Sequence, residues 1–326
     1  MKRFLRFLRF CLWSLIVVVA LLGALFAYYV YSPAPEIPRL SGTLTKQTIQ
    51  VDGRERFYRT YVPQGLAKGA PLVLAMHGSG ENGEQIRIDA GYAFDRLADE
   101  RGFAVLYPNA YEGDWNACNI VGNYRANKLN VDDVGFLTGL VDKLIGEIGI
   151  DPHRVFATGV SRGGSMALRL ALEAPSRFRA IAAVSANEPT PDNSKCKPVG
   201  PGTSVMIMSG TQDPLVPFDG GEDSLFGLAY ISGTVRSSRE SGQYFADLNH
   251  IVGTPETKQT PVADGVRVEQ VLWHNDSRTQ VELVAIHGGG HGMPQPYRRR
   301  PRILGPSPKE PNGPEMIWAF FERQRP

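Results

Sequence analysis

Ser161 stands in Thr158-Gly159-Val160-Ser161-Arg162-Gly163-Gly164, between the apolar run Val155-Phe156-Ala157 and a helix-like stretch at 165–172. A Gly-x-Ser-x-Gly turn between a strand and a helix lifts the serine hydroxyl to the strand tip, with glycines where side chains would clash. The bare pattern recurs by chance in a chain with 35 glycines, so its meaning depends on partners. A serine hydroxyl needs an adjacent histidine to take its proton, and a carboxylate must orient that imidazole. Both follow downstream. Asp213 comes after the strand-like run 204–209, in Gly210-Thr211-Gln212-Asp213-Pro214. His291 comes after the alternating run 280–286, in His287-Gly288-Gly289-Gly290-His291-Gly292. Backbone N–H groups must hold the oxyanion. The expected donors are Arg162 and Ser79, with Gly78 next; the latter two sit in His77-Gly78-Ser79-Gly80, after the apolar run 71–76. This set would transfer an acyl group through a covalent intermediate, with no metal and no organic cofactor.

Simpler roles exist for each residue. Asp213 before Pro214 could start a turn. Asp219 and Asp223 lie deeper in that loop and are weaker acid candidates. His287 and His291 would pair on a metal only from a helix, which three intervening glycines oppose. His77 reads as a loop support and not as a base.

The elements around these residues alternate. Asp52-Gly53 joins strands at 43–51 and 57–62 as an antiparallel hairpin. There follow a strand at 72–76, an amphipathic helix at 85–100, a strand at 103–108 and a helix at 134–148 with Asp132-Asp133 at its start. Strands at 155–158, 180–185 and 204–209, a helix at 237–249, strands at 266–273 and 281–286 and a closing helix at 315–322 complete the pattern. Such alternation predicts a mostly parallel sheet with helices on both faces. Ligands in such sheets bind at the carboxyl ends of strands, where Ser161, Asp213, His291 and Gly78 all fall. The loop 110–130, with Trp115, Asn116, Cys118 and Tyr124, is a candidate pocket wall. The proline-rich stretch 293–314 carries Arg298-Arg299-Arg300-Pro301-Arg302. It reads as a solvated loop or as a basic rim favouring an anionic substrate. No repeat and no second domain is expected.

Residues 10–31 carry no charge and are almost wholly apolar. As a helix they would be about 33 Å long, enough to cross a bilayer core. Lys2, Arg3, Arg6 and Arg9 precede them, which keeps residues 1–9 cytoplasmic and sends the rest across as a signal anchor. A cleaved signal peptide is the rival, although its apolar core is shorter. A Pro-rich spacer at 32–41 then leads to one domain at 42–326, periplasmic or extracellular. Cys11 belongs to the apolar run, which leaves Cys118 and Cys196. An oxidising compartment favours a disulfide between them; the alternative is two free thiols. The basic residues before residue 10 exceed the whole chain's net charge of +2, so the remainder is slightly acidic and no nucleic-acid partner is expected. Oligomeric state is not written in these features.

Several segments together resemble a known family. They are Leu74-Ala75-Met76-His77-Gly78, Tyr107-Pro108-Asn109, Trp115-Asn116, Val131-Asp132-Asp133-Val134-Gly135-Phe136, Asp151-Pro152-His153-Arg154-Val155, 159–164, 210–217 and Gly288-Gly289-Gly290-His291. Over about residues 55–325 the chain resembles the polyhydroxybutyrate depolymerase and feruloyl (acetyl-xylan) esterase-like group of α/β-hydrolases. The resemblance implies an α/β-hydrolase fold with nucleophile, acid and base at Ser161, Asp213 and His291. It also implies an ester substrate, a hydroxyalkanoate oligomer or an acyl sugar, with Trp115, Asn116 and Met293 in contact with it. The family often has Asn or Ala where Arg162 stands, and Thr-Trp-Pro where this chain reads Gly292-Met293-Pro294. An added cation and a missing aromatic are therefore expected at the mouth. A serine peptidase of the same fold and a catalytically silent binding protein are the rival functions.

Overall fold

Asp52 and Gly53 take φ of 49° and 69°, the positive values that a two-residue hairpin turn requires. They join β1 (Thr43–Val51) to β2 (Arg54–Val62). The structure, a computed structural model, describes residues 2–122, 124–200, 202–225, 229–262, 265–275 and 279–324. Beyond the hairpin run β3 (Leu72–Met76), α2 (Gly83–Asp89), α3 (Ala93–Arg101), β4 (Ala104–Pro108), α4 (Arg125–Lys128), α5 (Asp133–Ile148), β5 (Val155–Val160), α6 (Arg162–Glu173), β6 (Ala180–Val184) and β7 (Ser204–Gly210). Then come β8 (Gly221–Leu225), β9 (Ala229–Val235), α7 (Ser238–Leu248), β10 (Glu256–Pro261), β11 (Arg267–Trp273), β12 (Val281–His287) and α8 (Gly313–Arg323), while α1 (Lys2–Tyr29) precedes them all.

Ten strands form one sheet in the order β1-β2-β4-β3-β5-β6-β7-β12-β11-β10. The stretch from β4 to β12 is parallel, and both ends are antiparallel. Every residue of β3, β4, β5, β6 and β7 is buried. That explains their continuous apolar runs, since a parallel sheet is covered on both faces. One face packs on α5, α6 and α7 through Phe136, Leu140, Met166, Leu170 and Phe245. The other packs on α2, α3 and α8 through Ile86, Phe94, Trp318, Phe320 and Phe321. This is the expected α/β-hydrolase architecture.

Three elements differ from the reading of the sequence. The single helix at 85–100 is two helices. Gly91 and Tyr92 adopt φ of 62° and 59° between them, and a side chain on Gly91 would lie 2.4 Å from Tyr297 Cβ. The sheet ends in an unforeseen antiparallel edge strand, β10, whose side chains are all exposed; it lacks the apolar alternation that marks a half-buried strand. A separate hairpin, β8–β9, stands between β7 and α7.

Cys118 and Cys196 form a disulfide, 78 residues apart in sequence. It ties the loop after β4 to the segment after β6, beside the Asn119–Ser194 bridge. A loop of that length gives roughly 4 kcal/mol on the chain-entropy account. Replacing both cysteines with serine should therefore lower the unfolding free energy by about that amount, read from the guanidinium midpoint. An unchanged midpoint would show that the surrounding contacts alone hold the loop.

All of α1 is exposed, and it is long and apolar enough to cross a membrane. Its end rests on the basic run. Arg302 donates to the Tyr28 carbonyl at 3.0 Å and stacks 4.3 Å from the Tyr28 ring, and Ser32 donates to the Arg299 carbonyl at 2.6 Å.

Candidate active site

β5 ends at Val160 and α6 begins at Arg162, so one residue makes the whole turn. Ser161 takes φ 56° and ψ −122°, a conformation costing a non-glycine residue of order 1–3 kcal/mol. The turn is forced by the closeness of its neighbours. A Cβ on Gly159 would lie 2.4 Å from the Gly163 carbonyl, and one on Gly163 would lie 2.3 Å from the Met76 carbonyl. The Ser161 N–H is anchored on Val184 O at 2.8 Å. The Arg162 N–H, first in its helix, has no acceptor within that helix.

Asp213 and His291 meet from different strand ends. His291 Nδ1 lies 2.8 Å from Asp213 Oδ2 and 3.0 Å from Oδ1, and both side chains are buried. A carboxylate can only accept, so Nδ1 carries the proton and the Nε2 lone pair is left for another partner. Asp213 Oδ1 also accepts from the Leu215 and Val216 N–H groups at 2.8 and 2.9 Å. The turn role and the histidine contact therefore coexist. The His291 loop is clamped by Gly290 N–H to Pro306 O, His291 N–H to Leu304 O and Gly292 N–H to Ser185 Oγ. A side chain on Gly210 would lie 2.3 Å from Gly289 O, so β7 needs glycine where this loop crosses it.

Ser161 and His291 line one cavity of about 260 Å³, together with Gly78, Ser79 and Arg162. The Gly78 N–H already donates to Glu81 Oε2 at 2.9 Å, which leaves Ser79 as the exposed donor of that loop. His77 lies beneath it, wholly buried. The Ala110 N–H donates to its Nε2 at 3.0 Å, and Nδ1 lies 2.7 Å from the Gly78 carbonyl. Accepting at one nitrogen and donating at the other requires the neutral ring. Burial pushes its pKa down to about 4, so it stays neutral and supports the loop.

A strained serine, a buried His–Asp pair and backbone donors around one cavity suit acyl transfer, and comparison with known proteins bears on the class. The family described as "Esterase PHB depolymerase" matches residues 56–193. The protein named "Putative esterase NocK" from Nocardia uniformis subsp. tsuyamanensis is 31% identical over 294 residues, covering 86% of this chain and 83% of that one. The chain belongs to this esterase family. It is a carboxylic ester hydrolase. Feruloyl esterase C of Emericella nidulans is 28% identical over 185 residues, covering 55% of this chain and 62% of its own. The acetyl xylan esterase of Aspergillus awamori shares the fold, with a TM-score of 0.51 at 18% identity over 76% of this chain and 94% of that one.

Several residues expected to touch substrate in this esterase lie elsewhere. Trp115 is fully buried and donates from Nε1 to the His77 carbonyl at 3.0 Å. Asn116 is buried too; its N–H donates to Asp133 Oδ2, its amide to Val131 O, and its Oδ1 accepts from Lys195. Met293 packs in the core cluster under α8. Among the described residues, none of the three lines the cavity that holds Ser161. Sequence order placed them after strand ends, but bonds to His77, Val131 and Asp133 draw Trp115 and Asn116 inward, and core packing takes Met293. The Arg162 cation is likewise not free at the mouth. Its guanidinium donates to Trp115 O at 2.9 Å, Asn119 Oδ1 at 2.8 Å and Asn127 Oδ1 at 2.7 Å, and it lies 4.0 Å from the Tyr124 ring. It binds the 115–127 loop to the elbow. The residues that do reach the cavity include Ser232 and Leu304, not foreseen there, and Asp223, read from sequence only as a weaker acid candidate. Asp223 and Ser232 sit on the β8–β9 hairpin, whose Gly-Glu-Asp-Ser-Leu strand has little β-propensity.

Proposed function

We propose that this esterase works through an acyl-enzyme on Ser161, with His291 as general base and Asp213 as its orienting acid. Ser161 Oγ attacks the ester carbonyl while His291 Nε2 takes the hydroxyl proton. The tetrahedral oxyanion is held by the Arg162 and Ser79 N–H groups. Collapse expels the alcohol, which receives the proton from His291. Water, deprotonated by His291, then attacks the acyl-serine and releases the acid. The observation carrying this reading is that His291, paired with the buried Asp213, lines the same cavity as the strained Ser161. Acetylated sugars, feruloyl esters and hydroxybutyrate oligomers are the candidate substrates, from the family's named activities. Residues 10–31 are read as a retained anchor and 32–41 as a spacer, with the domain from residue 42 outside the cytoplasm; the length and apolarity of α1 and the disulfide support this.

Labelling the full-length protein with a fluorophosphonate, followed by peptide mass mapping, tests the nucleophile. The adduct is expected on Ser161 alone, and short p-nitrophenyl esters are expected to turn over while peptide amides do not. An adduct elsewhere, or none, overturns the mechanism. Faster cleavage of the amides would make the protein a peptidase.

A further inference from the structure

The β8–β9 hairpin is not part of the central sheet, yet it supplies part of the cavity wall. Its register breaks between Asp223 and Ser224. Up to Asp223 the strands pair as Gly221↔Val235, Glu222↔Thr234 and Asp223↔Gly233, and beyond it Ser224 faces Tyr230. A bulge of this kind re-aims a side chain and is concentrated next to active sites. Here the extra residues lie on β9, between Tyr230 and Gly233, and they include Ser232, which lines the cavity that holds Ser161 and His291 together with Asp223.

The carboxyl of Asp223 is only half served. The Ser232 hydroxyl beside it pulls its pKa down only a little, and that hydroxyl lies 3.0 Å from the Tyr124 hydroxyl. Among the described residues no hydrogen bond reaches Oδ1, although that atom is shut off from solvent. The nearby cation, Arg162, has its guanidinium committed to three neutral oxygens. Burial first, and then the charge of Asp213, pushes the Asp223 pKa up to about 7, against the pull of Arg162. Buried polar atoms in native proteins are nearly always paired. An unpaired acceptor beside a nucleophile is therefore a place for a ligand's donor. That donor is better neutral than cationic, because Arg162 and Arg300 also line the cavity and would repel a second cation.

We propose that Asp223 is a specificity residue, whose carboxyl, on the wall of the cavity, accepts a hydrogen bond from a hydroxyl on the ester substrate. The inference rests on the Ser161 reading and deepens it: the preferred ester carries a hydroxyl group within reach of the reacting carbonyl. That hydroxyl could belong to the acyl part or to the alcohol part. A site built around such a bond discriminates against the analogue that lacks it, because the buried acceptor is then left unpaired.

The test compares kcat/KM for two matched pairs, using the full-length protein in detergent. The acyl pair is p-nitrophenyl 3-hydroxybutyrate against p-nitrophenyl butyrate. The alcohol pair is 2-hydroxyethyl acetate against propyl acetate, followed by acid release. The wild type should favour the hydroxylated member of one pair by about 10- to 100-fold, the range of a hydrogen bond to a charged acceptor. Asp223→Ala should bring that ratio to near unity. Asp223→Asn keeps the shape and a neutral acceptor, so its ratio should fall part of the way, and it decides the matter if the alanine variant does not fold. The ratio is the readout, so a general loss of activity cancels. Ratios near unity in both pairs for the wild type, or a ratio unchanged in the folded variants, would overturn the role of Asp223. Neither result would touch the Ser161 mechanism, which fails if Ser161→Ala still hydrolyses p-nitrophenyl butyrate.

Discussion

Ser161→Ala is expected to lower kcat for p-nitrophenyl acetate by about a million-fold, the size of loss seen when a serine hydrolase loses its nucleophile. The residual rate would come from binding and from the oxyanion donors, which the substitution leaves in place. Alanine retains the Cβ at this position and can occupy the same backbone geometry, because the turn is imposed by Gly159 and Gly163 packing against Gly163 and Met76 carbonyls. The Ser161 N–H bond to Val184 O does not involve the hydroxyl either. Circular dichroism and the unfolding midpoint should therefore stay close to those of the wild type. Retention of more than about one per cent of the activity would remove Ser161 from the chemistry. A collapse of the fold would show instead that the hydroxyl has a structural role missing from its backbone contacts.

The placement of Ser161, Asp213 and His291 after strand ends was legible because their surroundings are simple sequence signals. Buried parallel strands leave apolar runs, which Ser161 and Asp213 each follow, and His291 follows the alternating run 280–286. The Asp52-Gly53 turn, the Asp132 cap on Gly135 N–H at 2.8 Å and the Ser237–Glu240 capping box are likewise local. What was not legible depends on partners far away in the chain. The break at Gly91-Tyr92 is set by Tyr297. Trp115 and Asn116 follow a strand end, as a pocket wall should, yet His77 and Asp133 draw them inward. Arg162 looked like a surface cation because no acidic partner stands near it in sequence. Its acceptors are neutral oxygens of residues 115–127, which no charge pattern reveals. The β8–β9 hairpin escaped notice because β8, Gly-Glu-Asp-Ser-Leu, lies outside the central sheet and carries no apolar period.

Asp213→Asn separates orientation from packing, and we expect it to lower kcat by about 10⁴-fold. The carboxamide has the volume of the carboxyl, and its oxygen can still accept from the Leu215 and Val216 N–H groups that Asp213 Oδ1 now serves. That arrangement turns the amide nitrogen toward His291 Nδ1. Two donors cannot face each other, so the imidazole proton moves to Nε2. The lone pair that should receive the Ser161 proton is then lost, although every heavy atom stays close to its place. The expected signature is a large fall in kcat with little change in the unfolding midpoint, and fluorophosphonate labelling of Ser161 slowed in parallel. Asp223 supplies the control, since it lines the same cavity and its charge acts on the same site. If Asp213→Asn costs less than ten-fold while Asp223→Asn costs far more on substrates without a hydroxyl, the orienting acid is the hairpin carboxylate, and the His291–Asp213 contact is architectural.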